Sequence, residues 1–191
     1  MEVIPYFPSV ADMRSWLAAR LEDLTDSEAW RRVATDKRPR DLARAIVGGA
    51  QGQPPLRLSV AIEGGSSRVK RGHPEEWLLS DHGRWRQMHL GALDAAYGST
   101  PFFRYFIPEI EDAFNSVNAG DSFSQFTSRL FHSTIGKIID QDVIDSLRRL
   151  RSEQRDFYQK LTEEKKEEEI DDLAFIDVIF RKGPEAIFSI T

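Results

Sequence analysis

The chain has 191 residues, 40% of them hydrophobic and 30% charged, with a net charge of −5 and no cysteine. That size supports one domain with a sizeable core. The missing thiols exclude disulfide staples, thiolate metal sites and a cysteine nucleophile, and they fit a reducing compartment. No apolar run reaches the roughly 18 residues a membrane span needs, and Met1–Tyr6 has neither the basic nor the apolar region of a signal peptide, so the expectation is a cytoplasmic protein.

The charge is unevenly spread. Between Arg31 and Arg86 twelve Lys/Arg stand against six Asp/Glu, which leaves the remaining residues at −11. A basic segment in an acidic chain is a poor signature for nucleic acid, which calls for a strongly basic domain. It suits a small anionic ligand, or simply a solvated positive face.

In chain order, Glu2–Phe7 reads as a short extended segment ended by Pro8. Ser9 is an N-cap for a helix that buries Met13, Trp16, Leu17 and Leu21 and ends near Asp23. Ala29–Ala34 reads as a brief strand, and Thr35–Arg40, which contains Pro39, as a loop. Arg44–Val47 and Leu56–Ile62 flank a Gly-rich turn as the two arms of a hairpin, with Leu56, Leu58, Val60 and Ile62 alternating onto one face. Gly48, Gly49 and Gly52 make neither a dinucleotide fingerprint nor a P-loop. Gly64–Ser67 is a second turn, and Val69–His82 is polar and irregular.

From Trp85 the pattern becomes helical: Trp85, Met88, His89, Ala92, Leu93, Ala96 and Tyr97 form one stripe that stops at Gly98, a C′ glycine. A further helix is expected from Pro108, with Ile110, Phe114 and Val117 inward. Asp121 or Ser122 then caps a helix carrying Phe123, Phe126, Leu130, Thr134 and Ile138. Val143, Leu147, Leu150, Phe157 and Leu161 continue in helical spacing into the run Glu163–Glu169, read as a charged mobile segment around 162–171. Leu173, Ile176 and Phe180 mark a short helix stopped at Gly183-Pro184, and Ile187–Ile190 docks as a final turn or strand. The expected architecture is a single helix-rich α+β domain over 1–191, with a small mixed or antiparallel sheet from the N-terminal half.

Residues 80–105 concentrate the side chains able to bind or react. His89 lies on the apolar stripe, either as a hydrogen-bonded core residue or as a general acid/base. His82 sits at the mouth of the same helix; adjacency of Ser80, Asp81 and His82 does not make a triad, which needs convergence in space. The four histidines show no His-x-x-x-His or His-Glu-x-x-His spacing, so no metal site on protein ligands is expected and no cofactor is indicated. Phe102–Phe106 is an aromatic cluster that serves either as core or as a stacking shelf, with Arg104 or Arg84 as an anion clamp.

Read together, several pieces resemble the WbqC-like proteins. They are Tyr6-Phe7-Pro8-Ser9; Arg44-x-Ile46 followed by the Gly-rich turn and Leu56–Val60; Trp85-x-x-x-His89 with Ala96-Tyr97-Gly98-Ser99-Thr100-Pro101-Phe102-Phe103; and Leu173 to Gly183-Pro184-Glu185-Ala186. The resemblance implies a bacterial protein, often tied to surface-polysaccharide (O-antigen) synthesis. Acyl or aminoacyl transfer to a nucleotide-linked amino sugar is the activity that fits that context.

Carried over, the family pattern picks out Tyr6, Pro8, Arg44, Trp85, His89, Tyr97, Pro101 and Phe103. His89 would be the catalytic acid/base. Tyr6, Arg44, His82, Arg84, Trp85, Tyr97, Phe103 and Arg104 would bind a small anionic ligand, a nucleotide sugar or an acyl donor. Before Arg44, Lys37 or Arg38 stands in for the family's Lys, whereas Ala43 occupies the position of its Asn. A non-catalytic binding or assembly protein using the same pocket is the alternative, and a protein–protein module on the acidic helices of 143–169 a third. Self-association into a homo-oligomer is compatible with all three.

Overall fold

A computed structural model describes residues 2–49, 53–156, 159 and 170–191. Among them stand nine α-helices and one two-stranded antiparallel sheet in the N-terminal half, a helix-rich α+β fold. Helix α1 (Val10–Leu21) opens on a capping box: the Ser9 hydroxyl accepts from Asp12 N, and Asp12 Oδ2 accepts from Ser9 N at 2.9 Å. Helix α2 (Asp26–Thr35) opens on a second box, between Thr25 and Glu28.

Ala29–Ala34 therefore lies within a helix and is not the brief strand expected. Ala29, Trp30 and Val33 face inward at helical spacing, and Trp30 stacks on Trp16 of α1 at 5.5 Å. The capping pair outweighed a short apolar run that fits either period. Helix α3 (Pro39–Leu42) is a single turn that leads into the hairpin.

Strands β1 (Arg44–Val47) and β2 (Leu56–Ser59) pair with Arg44 opposite Ser59 and Ile46 opposite Arg57. Ala45, Val47 and Leu58 are buried beneath the ladder, while Leu56 is left exposed at its end. Ile62 joins a separate bridge to Leu79, so the expected seven-residue strand is broken after Ser59. Helix α4 (Gly65–Lys70) follows, beginning where a turn was read.

Helix α5 (Trp85–Tyr97) spans the predicted stripe; Gly98 caps it in the right-handed conformation, not the left-handed one typical of C′ glycines. Helix α6 (Phe103–Asn115) begins five residues before the expected start and holds Pro108 inside it. Phe103, Phe106, Ile110 and Phe114 give that helix its buried side, so burial overrides the local cost of the proline. Helix α7 (Phe123–Ser133) is capped by Ser122 and stops at Thr134, which leaves Ile138 beyond it. Helix α8 (Gln141–Glu153) ends short of Phe157 and Leu161; those two residues and the run 163–169 lie outside the described residues.

Helix α9 (Phe175–Lys182) stops at Gly183, whose φ of 58° and approach to the Phe102 ring both require glycine. Just before α9 the chain threads between the N-terminal segment and β1. Val10 N donates to Leu173 O, Ala174 N to Ile46 O and Phe175 N to Pro8 O. Beneath this knot Tyr6, Phe7, Trp85, Phe114 and Phe126 pack ring on ring.

Candidate anion-binding cleft

Residues adjacent to the aromatic core line a cleft of about 570 Å³. Phe7, Ser9 and Asp12 form one wall, Asp36 to Asp41 another, and Arg44, Ile46 and Arg57 of the hairpin a third, with Asp172 at the rim. The hairpin register explains the third wall. Arg57 lies opposite Ile46, so Arg44 and Arg57 share the outer face as diagonal neighbours, a relation that sets such residues roughly 7–8 Å apart at their roots.

The charges of this cleft divide into three groups: paired side chains, two arginines, and the carboxylates Asp36 and Asp172, which form no ion pair with any described residue. Lys37 Nζ pairs with Asp12 Oδ1 at 2.9 Å, and Asp41 takes Arg38 at 2.7 Å and Arg40 at 3.6 Å. Arg44 and Arg57 form no ion pair with any described residue. Two exposed like charges side by side repel one another, and a bound anion removes that cost.

Arg40 and Arg44 also border a second cleft, of about 550 Å³, that runs along Ser59–Ile62 toward α4. His82 and Lys70 are exposed there, beside the half-buried Ser80. Arg44 and His82 are thus brought together in one cavity, whereas Arg84 and Arg104 are exposed and line neither cleft.

His89 has a different setting. It is 5% exposed, its Nδ1 accepts from the Tyr6 hydroxyl at 2.8 Å, and Trp85 and Phe114 pack edge-on against it. Burial pushes its pKa down to about 4 and pushes the Tyr6 phenol up, so the pair is neutral and holds the backbone just ahead of Phe7. Trp85 is buried too, with Nε1 donating to Ser80 O at 2.6 Å, which ties the His82 turn to α5. Phe103 packs on Phe180 within the core; Pro8 accepts from Phe175 through its carbonyl, and Pro101 is exposed ahead of α6.

Tyr97 belongs to a polar network that the spacing of the chain does not reveal. Its hydroxyl hydrogen-bonds to the buried Asp177 carboxylate and accepts from Gly48 N at 2.5 Å; Asp177 Oδ1 in turn accepts from Arg181 Nε at 2.9 Å. Burial, then Asp177, pushes the Tyr97 phenol far above its ordinary value. A Cβ on Gly48 would lie 2.8 Å from Asp177 Oδ2, so this close approach needs glycine. The network fastens the end of β1 to α9. The only sign of it in the sequence is Asp177, which heads the family-like Asp-x-hydrophobic-Phe ending. Among the described residues, Glu2, Asp26 and His132 hold one potential ligand atom each within 4.8 Å of one another. They are drawn from distant parts of the chain, which local spacing cannot register.

A helix-rich α+β fold whose arginine-bearing hairpin borders a cleft beside an aromatic core defines the class of protein. The model of the WbqC-like protein family matches residues 42–167, and the chain belongs to that family. The matched span takes in Arg44, His82, Trp85, His89, Tyr97 and Phe103; the resemblances at Tyr6–Ser9 and Leu173–Ala186 lie outside it. No curated protein and no solved structure matches the chain.

Proposed function

We propose that this protein binds a nucleotide-linked amino sugar through its phosphates in the Arg44–Arg57 cleft, and that it acts as an acyl or aminoacyl transferase in bacterial surface-polysaccharide synthesis. The observation that carries the binding half is the pair of arginines on one hairpin face, without carboxylate partners among the described residues. The transferase half rests on what the resemblance to the WbqC-like proteins implies, the family to which the chain belongs. In the reaction the amine nitrogen attacks the acyl carbonyl carbon, the bond from that carbon to the donor oxygen breaks, and the amine loses a proton.

His89 is too deeply buried to meet a ligand in that cleft, and it is a weak base with its pKa near 4. Its role in this reading is to position Tyr6 and the Phe7–Ser9 wall. In this reading the amine proton passes to His82, which is exposed in the neighbouring cavity that shares Arg44 with the sugar's cleft. The burial of His89 also favours a second reading, a binding protein that performs no chemistry. Calorimetry with a nucleoside diphosphate amino sugar, followed by product analysis with acyl donors, separates the two. Binding abolished by Arg57→Ala together with product formation supports a transferase, binding without product supports the second reading, and no binding defeats both.

A further inference from the structure

We infer that the cavity between β2 and α4 is a second ligand site, for a soluble phosphate monoester carrying a short apolar group. Four groups able to carry positive charge border it, Arg40, Arg44, Lys70 and His82, and no carboxylate does. Lys70 and Arg44 form no ion pair with any described residue, and Arg40 has only Asp41 at 3.6 Å. In a chain of net charge −5, a cavity whose charged lining residues are all basic is a local attractor for anions. Its other residues are unlike those of a purely electrostatic site. The buried Ile62 and the half-buried Val69 and Ala61 supply an apolar side, and Ser59, Ser66 and Ser80 add hydroxyls beside the cations. A phosphate satisfies the cations and hydroxyls and leaves the apolar side uncovered; a phosphate ester with a short alkyl or acyl chain covers both.

The inference deepens the reading of the neighbouring cleft, because Arg40 and Arg44 border both cavities and would hold two phosphorylated ligands next to one another. That is the arrangement a transfer between two substrates requires. Lys70 belongs to this cavity alone and Arg57 to the other alone, so the two readings fail separately.

The test is titration of the full chain with butyl phosphate, inorganic phosphate and butanol, followed by amide and imidazole NMR shifts. Butyl phosphate is expected to move the amides of Ala61 and Ser66 and the His82 ring, and to bind at least tenfold more tightly than either fragment. Lys70→Ala should weaken it at least fivefold and Arg57→Ala less than twofold, while Arg44→Ala weakens butyl phosphate and the nucleotide sugar alike. Lys70 and Arg57 are exposed, so neither variant threatens folding. Equal affinity for inorganic phosphate, or indifference to Lys70→Ala, overturns the inference. Loss of nucleotide-sugar binding in Arg57→Ala would leave the first cleft standing even then.

Discussion

His89 and Glu2 work against one another as pH changes. The His89 pKa is lowered to about 4 by burial, so between that value and its ordinary 6.5 the unfolded chain takes a proton the native chain refuses. The stability due to neutral His89 is complete above about pH 6.5 and falls as pH drops toward 4, by up to about 3 kcal/mol. Glu2 has the opposite sign. Burial, and then the neighbouring Asp26, raises it to about 7, so its contribution is complete below pH 4.5 and lost as pH rises toward 7. Denaturant unfolding between pH 4 and 7 should therefore show stability rising more steeply with pH in Glu2→Gln than in the parent protein. In His89→Gln the trend should weaken or reverse.

The Tyr6–His89 bond offers a second check at this scale. His89→Phe leaves a fully buried hydroxyl unpaired and should cost about 1–3 kcal/mol. Adding Tyr6→Phe should recover part of that loss, because both partners are then apolar. Both readings of His89, core residue or acid/base, were open in the sequence, since an apolar stripe records a residue's face and not its depth.

At the level of elements, legibility followed how local the causes are. Helix α5 was readable because its stripe, its burial and its stop at Gly98 lie in one continuous segment. Helix α6 was misplaced because Pro108 suits a first turn, and only the tertiary burial of Phe103 and Phe106 draws the helix back past it. Pro108 is exposed, so Pro108→Ala should stabilise the protein by about 1–3 kcal/mol in thermal or chemical unfolding, restoring a helical hydrogen bond at no packing cost. The hairpin was legible as a pair of arms, but its anchor was not. Gly48 approaches Tyr97 and Asp177 from far along the chain, and no spacing rule reports such a contact. Gly48→Ala pushes a methyl group into that network and should cost about 1–3 kcal/mol, with the loss shared by Tyr97→Phe and non-additive with it.

For the whole molecule, six of the twelve Lys/Arg between Arg31 and Arg86 line the two clefts at the hairpin: Lys37, Arg38, Arg40, Arg44, Arg57 and Lys70. In the sequence the basic excess of that segment suggests an anionic ligand, and the family resemblance adds Arg44. Arg57, its partner, was passed over because on paper it reads as an ordinary polar position on an alternating strand; only the pairing register sets it beside Arg44. The family match bears on membership and the helix-rich fold on architecture, while the ligand cleft is the proposal to be tested. The measurement that tests it most directly is calorimetric titration of a nucleoside diphosphate amino sugar into the parent protein and into Arg57→Ala. Loss of a charge-assisted phosphate contact costs about 1.5–3 kcal/mol, so affinity should fall roughly 10- to 100-fold while the unfolding midpoint stays put. Unchanged affinity in Arg57→Ala, or no binding to the parent protein, would contradict the cleft as the ligand site.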